Sequence, residues 1–138
     1  MSPEVIARKL ARLEKYLRDL KTFMKLSTKK QKKEQYSIER LCQLIVEVLS
    51  DLTSHVLSDW HNISAGGYKE VFKQAGVANI YSHDLAEELQ KAAGLRNLLV
   101  HLYEEIDSDK LSLAVPRLMD AAEQAAVKLA RFLEQEKK

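Results

Sequence analysis

Apolar residues recur along this chain at helical spacing almost from its first position. Ile6, Leu10, Leu13, Leu17, Leu20 and Met24 alternate steps of four and three, a coiled-coil-like seam that predicts a helix over about 3–25. Ser2 stands as its N-cap, and Pro3 falls at the first helical position, where a missing amide proton is tolerated. Arg8, Lys9, Arg12, Lys15, Arg18 and Lys21 make the opposite face basic. The polar stretch 27–35, with Lys29, Lys30, Lys32 and Lys33, reads as a connector or a frayed helical start. Ile38, Leu41, Cys42, Ile45, Val48, Leu49, Leu52 and Val56 form one broad stripe, which predicts a core-facing helix over about 37–60. Ser64 and the pair Gly66-Gly67 mark a loop, and a shorter helix follows over about 68–74, with Gly76 placed as its C-terminal cap. Ser82 can cap the next helix, which opens with Asp84, Glu87 and Glu88 and carries Leu85, Leu89, Ala92, Leu95, Leu99, Leu102 and Ile106. Asp107-Ser108-Asp109 marks a turn into a last helix holding Leu118, Ala122, Ala125, Leu129 and Phe132. Pro116, which lacks an amide donor, is expected to kink or restart that helix. Four long helices with short links and one extra short helix describe an all-α antiparallel bundle.

Composition narrows the picture further. A chain of 138 residues fits a single domain spanning 1–138, and four Gly with two Pro are too few for the turns of a β-sandwich or barrel. The net charge is only +2, so any affinity for nucleic acid has to come from where the basic residues sit. Cys42 is the single cysteine, which excludes an internal disulfide and a cysteine-rich zinc site, and places it in the apolar stripe as a core residue. His61 and His83, next to loops, carry no signal, and no grouping of His, Asp and Glu has metal-ligand spacing. No apolar run approaches the ~18 residues of a membrane span, and the start lacks a signal-peptide pattern, so a cytoplasmic protein without a membrane is expected.

The chemistry concentrates in Gly94-Leu95-Arg96-Asn97-Leu98-Leu99-Val100-His101-Leu102-Tyr103-Glu104-Glu105-Ile106-Asp107. At about 100° per residue, Leu95, Leu98, Leu99, Leu102 and Ile106 gather on one side, the side expected to face the core. Arg96, Asn97, Val100, His101 and Glu104 gather on the other, with Tyr103 at the edge near Arg96. Asn97 and His101 are four residues apart and therefore neighbours on the helix surface. A lone histidine in a helical protein is more often structural than catalytic. This one is turned away from the leucine stripe towards an arginine, an asparagine and a tyrosine.

The string from Arg96 to Tyr103 resembles the Arg-x4-His-x-Tyr signature of HepT-like HEPN ribonuclease toxins. Ile38-Glu39-Arg40-Leu41 with Asp51 and His55 is similar to that family's second helix. The stretch 68–76 with Phe72 resembles its short helix, and Glu105-Ile106-Asp107 the usual end of its motif helix. The likeness covers about residues 37–110, and Pro116 departs from it. It implies an all-α HEPN bundle and a metal-independent endoribonuclease without cofactor, the toxin of a type VII-like toxin–antitoxin system. It further implies an RNA substrate, a homodimer or a higher oligomer with a composite cleft, and a cognate MntA-type minimal nucleotidyltransferase as antitoxin. That partner would transfer AMP to the motif tyrosine, here Tyr103.

The residues suit such chemistry. Cleavage by an RNA 2′-hydroxyl needs a proton acceptor near neutral pH, a cation for the phosphorane and a proton donor to the leaving oxygen. His101 and Arg96 are the expected catalytic pair: a histidine ordinarily titrates near ~6.5, and a guanidinium is a permanent planar donor to phosphate oxygens. Asn97 supports by orienting the imidazole or a phosphate oxygen, and Tyr103 by hydrogen bonding to phosphate or stacking on a base. Asp51 and His55, at the rim of the apolar stripe, either support the cleft or pair structurally. The lysines of 25–33 either hold RNA backbone or form a solvated loop. The competing reading is a non-catalytic helical module that binds the nucleotidyltransferase or a nucleotide; the joint presence of Arg96 and His101 favours the enzyme.

Overall fold

The computed structural model describes residues 1–101 and 106–136. Among these the chain forms α1 (Pro3–Met24), α2 (Thr28–Lys33), α3 (Gln35–His61), α4 (Tyr68–Val77), α5 (His83–His101) and α6 (Ser108–Glu136). The long helices α1, α3, α5 and α6 make the bundle, and α3 lies at its centre, packed on all the others. Cys42, Ile45, Val46, Leu52 and Val56 of α3 are sealed from solvent, together with Leu13 and Leu20 of α1 and Ala122, Ala125 and Leu129 of α6. Over an 18-residue window α3 reaches a mean hydropathy of 1.2, and 67% of that window is buried in the bundle, so its apolar character is that of a core helix. Burial pushes the Cys42 thiol up to about 12, with Glu39 adding to the shift, and the group stays a neutral apolar filler.

The helix ends follow the expected caps. Ser2 Oγ accepts from the Val5 amide at 3.3 Å and Ser82 Oγ from the Leu85 amide at 3.2 Å. Asp107 starts α6: its carboxylate accepts from the Asp109 amide at 2.9 Å and its carbonyl from Leu111 at 3.0 Å. Between α4 and α5, the buried Tyr81 hydroxyl lies 2.8 Å from Thr53 Oγ1, and Thr53 in turn donates to the Leu49 carbonyl at 2.7 Å. That chain satisfies both buried hydroxyls and ties the α4–α5 link to α3.

Three local expectations change. The stretch after α1 connects it to α3 as an ordered short helix, not a frayed one: Ser27 Oγ caps α2 by accepting from the Lys30 amide at 3.3 Å. The Gln31 side-chain amide donates to the carbonyls of Met24 and Leu26 at 3.1 and 2.9 Å, which fastens α2 to the end of α1. Gly76 is not the cap of α4. It lies inside the helix, and the left-handed turn beyond falls to Asn79 at φ 61°. Gly76 is small for another reason: a Cβ there would stand 2.6 Å from Ala86 Cβ, so its absence lets α4 and α5 approach closely. Pro116 does not restart the last helix, which runs unbroken through it, held to the bundle on either side by buried Val115 and Leu118.

Candidate active site

The motif belongs to α5, and the first half of that helix fixes which way it faces. Leu85, Ala86, Leu89, Ala92 and Ala93 are buried, and α5 packs on α3, α4 and α6. Arg96, four residues beyond Ala92, continues the same line and is carried into the junction of α5 with α3 and α4. Its guanidinium carbon sits 4.3 Å from the centre of the Tyr68 ring at the start of α4. Nη2 lies 3.5 Å from Glu47 Oε1 on α3, and Nη1 donates to Asn97 Oδ1 at 3.4 Å. The Arg96 side chain is only 16% exposed. In this partly dry setting both the ion pair and the cation–π contact are stronger than in water, the latter about 0.5–2 kcal/mol. Among the described residues, Arg96 Nε and Glu47 Oε2 are buried without a hydrogen-bond partner.

This corrects the expectation that Arg96 lies in an open patch facing away from the core. Leucines 95–106 suggest one helix phase and the small residues of 85–93 another; the close approach of α4 and α5 makes the second one decisive. Leu99 is buried as expected, but Leu98, assigned to the core side, is 47% exposed. Val100 is 41% exposed, as its place on the outer face requires. Asn97 is half-buried, and His101, the last of the α5 residues described, is exposed. The motif thus divides into an anchored cation and an open imidazole. Tyr103 lies outside the described residues. Beyond the motif, the Gln35 side-chain amide donates to the Ile106 carbonyl at 3.1 Å and pins the start of α6 to the start of α3.

Asp51 and His55 are engaged in the framework. Asp51 Oδ2 pairs with Lys9 Nζ at 2.9 Å and joins α3 to α1, while buried His55 places Nδ1 3.3 Å from Asp59 Oδ2 one turn on. Glu47 and Tyr68 were not singled out as site residues from the sequence. Glu47 did leave a signal, as the lone acid within Leu44-Ile45-Val46-Glu47-Val48-Leu49; Tyr68 left none beyond its place at the head of a short helix. Among the described residues no group of three or more His, Cys, Asp or Glu is arranged to hold a metal ion.

An all-α bundle with an extra short helix, carrying Arg-x4-His near the end of an inner helix, defines an HEPN-type domain, the fold expected from the sequence. Residues 6–134 match the family described as Ribonuclease HepT-like, and the chain belongs to it. It is 31% identical over 118 residues to the tRNA nuclease HepT of Aphanizomenon flos-aquae, covering 83% of this chain and 80% of that relative. Its fold is similar to the tri-AMPylated Shewanella oneidensis HEPN toxin solved in complex with MNT antitoxin, with a TM-score of 0.77 at 20% identity over 95% of this chain and 99% of that one. It is also similar to YutE of Bacillus subtilis, a cytosolic protein of unknown function, with a TM-score of 0.82 at 18% identity over 99% and 93% of the two chains.

Proposed function

We propose that this chain, as one HEPN domain over 1–138, is a metal-independent endoribonuclease toxin of a type VII-like toxin–antitoxin system, cutting RNA in the cytoplasm by 2′-hydroxyl attack. The observation that carries this reading is the pairing of a guanidinium held in place by Tyr68 and Glu47 with an accessible imidazole five residues further along the same helix. In the reaction the 2′-oxygen forms a bond to phosphorus as the bond from phosphorus to the 5′-oxygen breaks. One imidazole takes the proton from the 2′-hydroxyl and a second delivers one to the departing 5′-oxygen. Arg96, held by its stacked face and its pair with Glu47, offers its remaining donors to the non-bridging oxygens as charge builds there. Asn97 steadies the guanidinium edge.

Each chain supplies one such imidazole, so the second comes from another copy. The exposed Val100, on the same outer face as Asn97 and His101, supports a homodimer formed across this face, since an apolar side chain held out to solvent favours being covered. Cleavage is expected to proceed in excess EDTA and to leave a 2′,3′-cyclic phosphate with a 5′-hydroxyl, read by mass spectrometry of the fragments. A strict need for an added divalent ion would overturn the mechanism.

Control is assigned to an MntA-type nucleotidyltransferase that places AMP on Tyr103. This is supported by membership of the HepT-like family and by a fold shared with a toxin solved in AMPylated form. The Tyr103→Phe chain, incubated with that partner and ATP, is expected to show no AMP adduct by intact mass. Adducts persisting at the wild-type level would place the acceptor elsewhere.

A further inference from the structure

The chain's net charge is +2, yet residues 25–33 alone carry five lysines and no acid, which leaves −3 for everything else. Basic charge is therefore concentrated on one short segment, and that segment is built rather than loose. Gln31 locks α2 to the carbonyls of Met24 and Leu26, and Ser27 caps it. Lys25, Lys29, Lys30, Lys32 and Lys33 are all exposed, and among the described residues none of them lies in ion-pair range of a carboxylate. Ordering five like charges together costs energy unless something anionic joins them.

Beside them stands Tyr36, 76% exposed at the first turn of α3, an aromatic face held out to solvent. Lys32, Lys33, Gln35 and Tyr36 line an open cleft whose other wall is Ile106, Asp107 and Ser108. The hydrogen bond from Gln35 to the Ile106 carbonyl fixes the two walls together. Ile106 follows His101 by only five residues, so covalent geometry keeps its Cα, at the cleft wall, within roughly 18 Å of the His101 Cα.

We infer that α2 and Tyr36 form a binding track for the backbone and one base of single-stranded RNA, leading to the cleavage site. The inference rests on the ribonuclease reading for its direction, not for the binding itself. Lysines hold phosphates without reading sequence, and an exposed tyrosine stacks on any base. An acidic protein surface would match the lysines equally well, but it gives no use to an exposed aromatic ring at their edge. The polar cleft between Tyr36 and Ser108 suits a sugar–phosphate strand.

The test measures binding and cleavage separately. A fluorescent single-stranded RNA of about 20 nucleotides is titrated with the full chain between about 50 and about 200 mM salt, where each lost phosphate contact lowers the slope of log K against log salt by about 0.7. To prevent cutting, every protein carries His101→Ala. Replacing Lys29, Lys30, Lys32 and Lys33 together by Ala is expected to weaken binding at least tenfold and to lower the slope by about 2–3. Tyr36→Ala is expected to weaken binding severalfold with the slope unchanged, because stacking releases no ions. All these positions are exposed, and circular dichroism checks that the fold is kept. Unaltered affinity and slope in the lysine variant would overturn the track. So would normal RNA binding in a variant that no longer binds its nucleotidyltransferase, since the lysines would then serve the protein partner. Wild-type cleavage, followed on the same RNA, reports on the ribonuclease reading independently: a wild type that binds but never cuts would sink that reading and leave the track standing.

Discussion

Replacing His101 by Ala is expected to lower RNA cleavage by about 10²–10⁴-fold, the usual contribution of a positioned acid–base group, with no change in the melting curve. The His101 side chain is exposed, so its removal opens no cavity in the core. A stability change within about ±0.5 kcal/mol is therefore expected, read by thermal melting, while single-turnover cleavage reads the chemistry. Cleavage at the wild-type rate by a folded His101→Ala protein would remove the histidine from the mechanism.

Arg96→Ala is expected to behave differently because the guanidinium is part of the framework as well as of the site. Its loss removes the stacked contact with Tyr68 and leaves the partly enclosed Glu47 carboxylate without its cation. The combined effect is about 1–2 kcal/mol of stability, discounted for the solvent that still reaches Glu47, or roughly 3–10 °C in melting temperature. Cleavage should fall at least as far as for His101→Ala. Adding Glu47→Gln to Arg96→Ala removes the unpaired charge and is expected to recover part of the stability but none of the cleavage. Recovery of cutting alongside stability would mean that Arg96 acts only by holding the helices together. Loss of activity in a variant that melts normally would show the opposite, that the pair with Glu47 contributes little to the fold.

Much of this was readable in the sequence because it depends on local periodicity. The seam of α1, the stripe of α3 and the caps at Ser2 and Ser82 each rest on residues a few positions apart, where helical geometry leaves little choice. The string from Arg96 to Tyr103 was also legible, since a motif on one helix needs no knowledge of what packs against it. The errors share one origin. Glycine commonly ends helices, which suggests a cap at Gly76, whereas it makes room for Ala86 from another helix. Residues 27–35 looked frayed because the bonds that hold α2 come from one glutamine reaching back to α1, a contact with no periodic signature.

Arg96 marks the boundary between the two kinds of information most clearly. The sequence by itself determined that an arginine and a histidine share a helix within an all-α bundle, since spacing alone sets that. Which side the arginine takes was decided only in the tertiary structure. The leucines of 95–106 allow one phase, but the close packing of α4 on the alanines of α5 imposes the other and brings Glu47 and Tyr68 around the guanidinium. A helix has one orientation, and the face that buries most tightly sets it for every residue along its length, charged ones included.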